Sequence, residues 1–413
     1  MAVVKPFRAV RPNAENVSQV AALPYDVYNR KEACEAVKGN PLSFLNIDRA
    51  ETQFPDEVDT YADCVYEKAR ELLKTRIEDG TFIQDETPCY YIYRLTMNDR
   101  SQTGIVACSS VDDYVNQVIK KHENTREDKE QDRIRHVDTT DAHTGPIFLA
   151  YRAMEKLDRL TARVTLGTPV YDFISDDGIG HTVWKIAAPG LVKEIEDAFL
   201  QVPATYIADG HHRAASAVKV GLKRREEHPD HTGKEPYHYF LSVLFPDEQL
   251  MIMPYNRVVK DLNGLSKEEF LNRITESFTV ASAGPLPYSP EKKGTFGMYL
   301  DGQWYRLEAK PEILCQDPVK GLDVSVLQDY LLGPVLGIGD PRTDKRIDFI
   351  GGIRGLKELE KRTKEDMTVA FSMYATSIQE LLNVADAGLL MPPKSTWFEP
   401  KLRSGLFIHL LSQ

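Results

Sequence analysis

The sequence predicts a mixed α/β (α+β) protein built as two domains, and three observations predict it. A chain of 413 residues exceeds what one ordinary core accommodates, so two domains are expected. Short apolar runs that read as strands (90–95, 103–108, 147–151, 205–208 and 239–245) are separated by polar stretches of helical character. The composition, 42% hydrophobic and 27% charged, supplies a packed interior and leaves little room for disorder.

The elements follow in order. Residues 3–30 read as a short strand, a polar helical turn and a loop ending in Leu23-Pro24-Tyr25-Asp26. A charged helix is expected over 57–79, stopped by Gly80, which adopts the left-handed conformation that ends helices. The runs at 90–95 and 103–108 pair as strands. Residues 120–141 are the most charged stretch, followed by Gly145-Pro146 and the apolar strand 147–151. Residues 163–186 alternate like edge strands and 190–200 like a helix. Strand 205–208 runs directly into Asp209-Gly210-His211-His212-Arg213. Residues 223–234 read as a surface excursion before strand 239–245. Pro246, Pro254 and Gly264 cluster at a boundary near 246–262, giving domains at 1–250 and 251–413. The second domain is expected to hold helices with strands at 347–350 and 368–373, and it closes on Met391-Pro392-Pro393-Lys394-Ser395-Thr396-Trp397.

The bulk properties exclude several function classes. A net charge of −11 argues against a duplex-DNA binder, whose affinity comes largely from basic contacts to phosphate. Cys34, Cys64, Cys89, Cys108 and Cys315 form no CxxC pair, and are expected to be reduced, mostly buried thiols of a cytosolic protein. No apolar run approaches the roughly 20 residues that span a bilayer, so a cytoplasmic location without membrane contact is expected.

Chemistry concentrates at 209–213. Gly210 permits a tight turn, and the first helical N–H groups after it attract an anion. Arg213 can grip phosphate through two parallel hydrogen bonds. Asp209 can cap the helix, hold a hydrated Mg²⁺ or act as a base. A second segment, Lys121-His122-Glu123-Asn124-Thr125-Arg126, precedes a helix expected to be capped by Thr125 in a box with Asp128. On that helix Arg126, Lys129, Arg133 and His136 recur at spacings of three and four as one basic stripe. Asp26 is a further carboxylate on a proline-braced loop, and Lys394 with two hydroxyls could meet an anion at 391–397, though a braced structural loop is the plainer reading there.

Six motifs in order carry a resemblance spanning nearly the whole chain. They are Leu-Pro-Tyr-Asp-Val at 23, Asn40-Pro41 before Ser43-Phe44-Leu45, Lys121-His122-Glu123-x-Thr125, Asp-Gly-His-His-Arg at 209, Phe-Ile-Gly-Gly at 349 and Met-Pro-Pro-Lys-Ser-Thr at 391. The chain resembles a widespread prokaryotic family long labelled as being of unknown function. Its central motif also looks like that of the ParB/sulfiredoxin-like nucleotide-binding superfamily, whose free-serine kinases carry a similar Asp-Gly-His-x-Arg. The resemblance implies a ParB/sulfiredoxin-like nucleotide-binding first domain and a phosphotransferase using ATP or ADP with Mg²⁺, with L-serine as leading acceptor. On that reading Gly210, His211, His212 and Arg213 hold the phosphates, with Lys121, His122, Thr125 and Arg126 opposite them. Asp209 would bind Mg²⁺ or orient the acceptor, and Asp26 or Glu123 would be the base. A dimer is compatible with the sequence, which does not decide the oligomeric state.

Two departures narrow the choice. Sulfiredoxins need a Cys after the motif glycine, where this chain has His211, so sulfur chemistry lacks its thiolate. No recognition helix of the ParB partition type is evident, although a ParB-type nucleotide-binding switch without transfer chemistry is the alternative function. A metal-dependent hydrolase built on His122, His136, His143 and the 211–212 pair lacks any His-x-Glu-x-x-His spacing.

Overall fold

The computed structural model describes residues 1–412 as a mixed α/β chain in two compact units. One unit comprises residues 1–250 together with 400–413, the other residues 251–399. The sequence reading gave 400–413 to the second domain. The structure returns this tail to the first unit, where His409–Leu410 pairs antiparallel with Ala142–His143 and isolated bridges join Val10 to Ile408 and Ala22 to Ser404. Such long-range backbone pairing leaves no local trace in sequence.

The first unit is organised on a nine-stranded mixed sheet. Its strands are β1 (Val4–Lys5), β2 (Tyr90–Met97), β3 (Arg100–Ser110), β4 (Ile119–Lys120), β5 (Ile147–Tyr151), β6 (Tyr171–Ile174), β7 (Gly180–Ile186), β8 (Thr205–Asp209) and β9 (Tyr239–Pro246). They lie in the order β4-β8-β5-β9-β3-β2-β7-β6, with β1 beside β3. Strands β5 and β9 are buried almost throughout, because apolar side chains cover both faces.

Four helices matter for the argument. Helix α1 (Asp63–Glu78) ends as expected before Gly80, whose φ is +81°, but starts later than predicted because Asp59 ties the preceding residues into a turn. Helix α2 (Glu127–Thr140) has Arg126, not Thr125, at its N-cap position, and no side chain caps it. The Thr125 hydroxyl instead donates to Glu130 at 2.7 Å. Helix α3 (Pro189–Phe199) matches expectation. Helix α4 (His211–Glu227) runs well into the segment read as a surface excursion, because α2 packs beside it and ion pairs such as Lys223–Asp138 (2.6 Å) hold its polar face. Residues 163–186 form strands only from 171 onward, since Glu155–Val164 is helical. Of the two strands, β6 alone lies at the sheet edge, while β7 pairs on both sides.

The second unit is an α/β domain, as expected, whose helices accompany a six-stranded antiparallel sheet. Its strands are β10 (Tyr255–Val259), β11 (Phe278–Gly284), β12 (Thr295–Leu300), β13 (Gln303–Ala309), β14 (Ile347–Gly351) and β15 (Val369–Met373), in the order β11-β13-β12-β15-β10-β14. Cys89 and Cys108 are buried as expected, whereas Cys64 and Cys315 are exposed, and all five cysteines are free. Among the described residues no helix is long and apolar enough to cross a membrane.

Candidate functional site

Strand direction explains why three distant segments meet. Strand β4 runs parallel to β8, with Thr205 opposite Ile119 and Tyr206 opposite Lys120. Residues 121–126 and 209–213 therefore leave the sheet at the same end. Strand β5 runs antiparallel to β8, with Phe148 opposite Asp209, so its entry at Gly145-Pro146 lies there too. A register shift between Ile207 and Asp209 marks a bulge, a device that re-aims side chains at strand ends.

Gly210 sits at the N-cap of α4 with φ +91° and ψ 34°, a conformation costly for residues bearing a Cβ. A Cβ there would lie 3.0 Å from Arg213 Nε, so the glycine also lets the guanidinium fold back over the turn. Arg213 donates from Nη1 to the Pro146 carbonyl at 2.6 Å and from Nη2 to Asp209 at 3.2 Å, while its buried Nε has no hydrogen-bond partner. Asp209 also lies 3.6 Å from Lys401 Nζ. Burial pushes the Asp209 carboxyl up, but Lys401, Arg213 and His211 outweigh it, so the group is held below the usual carboxylate range.

Lys401 is the residue that sequence reasoning missed. It arrives on the returning tail, which comes close because Gly145 has no side chain: a Cβ there would lie 3.0 Å from Ser404 Oγ.

The two motif histidines differ. His211 is buried, its Nε2 has no hydrogen-bond partner, and its Nδ1 lies 3.9 Å from Glu123 Oε2. Its ring packs edge-on against His122, with centroids 4.5 Å apart. Burial lowers the His122 pKa to about 4, against a hydrogen bond to the Ile207 backbone, and burial with His122 as neighbour takes His211 well below the usual imidazole value. His212 is only half-buried and accepts the Arg126 backbone N–H at Nε2, 3.0 Å. Burial lowers its pKa while Asp26 and Glu130 act the other way. Asp26 is exposed. Lys121, exposed, acts electrostatically on His211.

The expected basic stripe on α2 is divided. Arg126 is exposed and grips Asp128 with two bonds, at 3.2 and 2.9 Å. Arg133 is buried, pairs with Asp132 at 2.9 Å and lies 4.0 Å from the Tyr25 ring. His136 is buried against the Ile47 carbonyl. Tyr25, Asp48, Arg49, Glu51, Asp132 and Arg133 are among the residues lining a polar cavity of about 220 Å³. The 391–397 segment lies in the second unit, where Ser395 donates to the Pro392 carbonyl at 2.6 Å and the Lys394 carbonyl accepts from Arg257 at 3.1 Å, a braced loop.

Among solved structures, a conserved hypothetical protein from Pyrococcus furiosus is 16% identical over 74% of this chain and 95% of its own, with a TM-score of 0.35. A free serine kinase variant in complex with ADP is 15% identical over 74% and 92%, with a TM-score of 0.36. C-terminally truncated SbnI from Staphylococcus aureus is 13% identical over 74% and 87%, with a TM-score of 0.39. At these scores the similarity carries no argument about chemistry. No curated protein matches the chain. The family model for DUF1015, a protein of unknown function, matches residues 4–325, which include the motifs at 23, 40, 121 and 209 but not those at 349 and 391. The chain belongs to the DUF1015 family.

Proposed function

We propose that the chain is a nucleotide-dependent phosphotransferase whose phosphates bind at the start of α4, with free L-serine as acceptor. The observation that carries the reading is the convergence of Lys121, Arg213 and Lys401, from three separate segments, on the turn where β8 becomes α4. The first N–H groups of a 17-residue helix lack intrahelical partners there and favour an anion. Phosphoryl transfer asks mainly for positioning and charge neutralisation, which such a cluster supplies.

In this reading the serine hydroxyl attacks the terminal phosphorus of ATP or ADP. Asp26 or Glu123 takes its proton as the new O–P bond forms, and the bridging P–O bond breaks to release ADP or AMP. Mg²⁺ held at Asp209 would offset charge on the phosphates. The polar cavity behind Tyr25, with a guanidinium and carboxylates in its walls, suits the opposite charges of a small amino acid. The resemblance of the 209–213 motif to that of free-serine kinases agrees with this assignment.

The test is direct. Purified protein with Mg-ATP or Mg-ADP and L-serine is expected to yield O-phosphoserine, and Asp209→Asn to lower the rate at least about 100-fold. Absence of product with both nucleotides rejects the reading.

A further inference from the structure

We propose that His122, Glu123 and His211 form a binding site for one transition-metal dication of the zinc type, separate from any magnesium bound with nucleotide. Each of the three residues offers one ligand atom, and these atoms all lie within 4.8 Å of one another. A tetrahedral ion with bonds of about 2.0–2.1 Å holds its ligand atoms roughly 3.4 Å apart, so the trio needs to close by little more than about 1 Å. Glu123 has the freedom for that movement, its side chain being 41% exposed.

Two further features point to an ion. The buried His211 Nε2 has no hydrogen-bond partner, and a buried polar atom left so is a cost that folds rarely carry without a use. The His122 ring hydrogen-bonds the Ile207 backbone carbonyl, the kind of outer contact that orients a metal-ligating imidazole. The frame is firm as well: His122 follows β4, His211 opens α4, and β4 pairs with β8 just before the turn.

Ligand chemistry selects the ion. Two imidazoles with one carboxylate suit zinc and its first-row neighbours, whereas magnesium takes oxygen ligands and keeps its waters. Three protein ligands leave a coordination position open for water or an oxyanion. The residues are too far apart in sequence for a ligand motif, which is why spacing rules do not find them. If Glu123 is a ligand, Asp26 is left as the base of the proposed transfer, and only that corollary rests on the kinase reading.

A second grouping, His231, Glu235 and His238, also brings potential ligand atoms together. Its Glu235 carboxylate already accepts from the Thr232 and Gly233 backbone and the Thr232 hydroxyl. The test therefore uses the full chain carrying His231→Ala, stripped with chelator and titrated calorimetrically with Zn²⁺ alone. One equivalent is expected to bind, undisplaced by excess Mg²⁺. Adding Glu123→Gln, at a partly exposed position where folding is not at stake, is expected to weaken binding at least about 10-fold. Adding His211→Asn is expected to abolish it, with circular dichroism checking the fold. No Zn²⁺ uptake by the His231→Ala protein, or uptake unaltered by Glu123→Gln, overturns the proposal. Because no nucleotide is present, zinc binding without phosphoserine formation would reject the kinase reading alone, and phosphoserine formation by a protein that binds no zinc would reject this site alone.

Discussion

Lys401 Nζ lies 3.6 Å from Asp209 Oδ1, although the two residues belong to segments from opposite parts of the chain. The Lys401 side chain is only 13% exposed, so solvent screens this charge weakly. With Arg213 committed to Asp209 and to the Pro146 carbonyl, Lys401 adds a second cation beside the Asp209 carboxylate. Lys401→Ala is expected to weaken nucleotide binding by roughly 10–100-fold, the range for losing a hydrogen bond to a charged group. Calorimetric titration with ADP or ATP checks this, and unchanged affinity would remove Lys401 from the site.

Asp26 acts electrostatically on His212, and Glu123 Oε2 lies 3.9 Å from His211 Nδ1. A base contributes to the transfer step, whereas a metal ligand contributes to metal affinity. Asp26→Asn is therefore expected to lower kcat by about 100-fold or more with little change in nucleotide affinity. Glu123→Gln is expected to weaken Zn²⁺ binding at least about 10-fold in a calorimetric titration. If Asp26→Asn turns over normally while Glu123→Gln is dead at every metal concentration, the two roles are reversed.

Much of this was legible in the sequence, and the limits are physical. The strand that feeds Asp209-Gly210-His211-His212-Arg213 announces itself, because only glycine easily adopts φ +91° between a strand and a helix. The β12–β13 hairpin also carries a signal, Asp301-Gly302 with φ of 50° and 77° between alternating runs, which the sequence reading does not use. The division of the α2 stripe was not readable: periodicity puts Arg126 and Arg133 on one face, but only tertiary packing buries one beneath Tyr25 and leaves the other in solvent. Lys401 and the His122–Glu123–His211 trio depend on strand order and on the returning tail, which a one-dimensional pattern does not contain.

Gly210→Ala combines two penalties. The αL backbone costs a residue with a Cβ roughly 1–2 kcal/mol. The added carbon also meets Arg213 Nε at 3.0 Å, so the guanidinium has to shift. A loss of about 1–2 kcal/mol in chemical denaturation is expected, together with weakened nucleotide binding. Full stability with full affinity would mean that the turn relaxes without cost, and that the close approach of Arg213 is incidental.

Asp323 gives the second unit a pH dependence of its own. Both carboxylate oxygens accept the Gly294 N–H, at 3.0 and 3.1 Å, yet burial dominates and raises the pKa from 3.8 to about 7. Lys293 opposes this rise and Glu380 adds to it. The folded state holds the proton more tightly than the unfolded chain does. The associated stability is thus fully present below about pH 4 and is lost as pH rises through about 7. Asp323→Asn keeps an acceptor for Gly294 and removes the titration. It is expected to be nearly neutral at pH 4 and stabilising at pH 8 by an amount on the order of 2–4 kcal/mol, at about 1.4 kcal/mol per unit of pKa. Calorimetric melting of wild type and variant at the two pH values decides it, and equal differences at both would show that Asp323 titrates alike in the folded and unfolded chain.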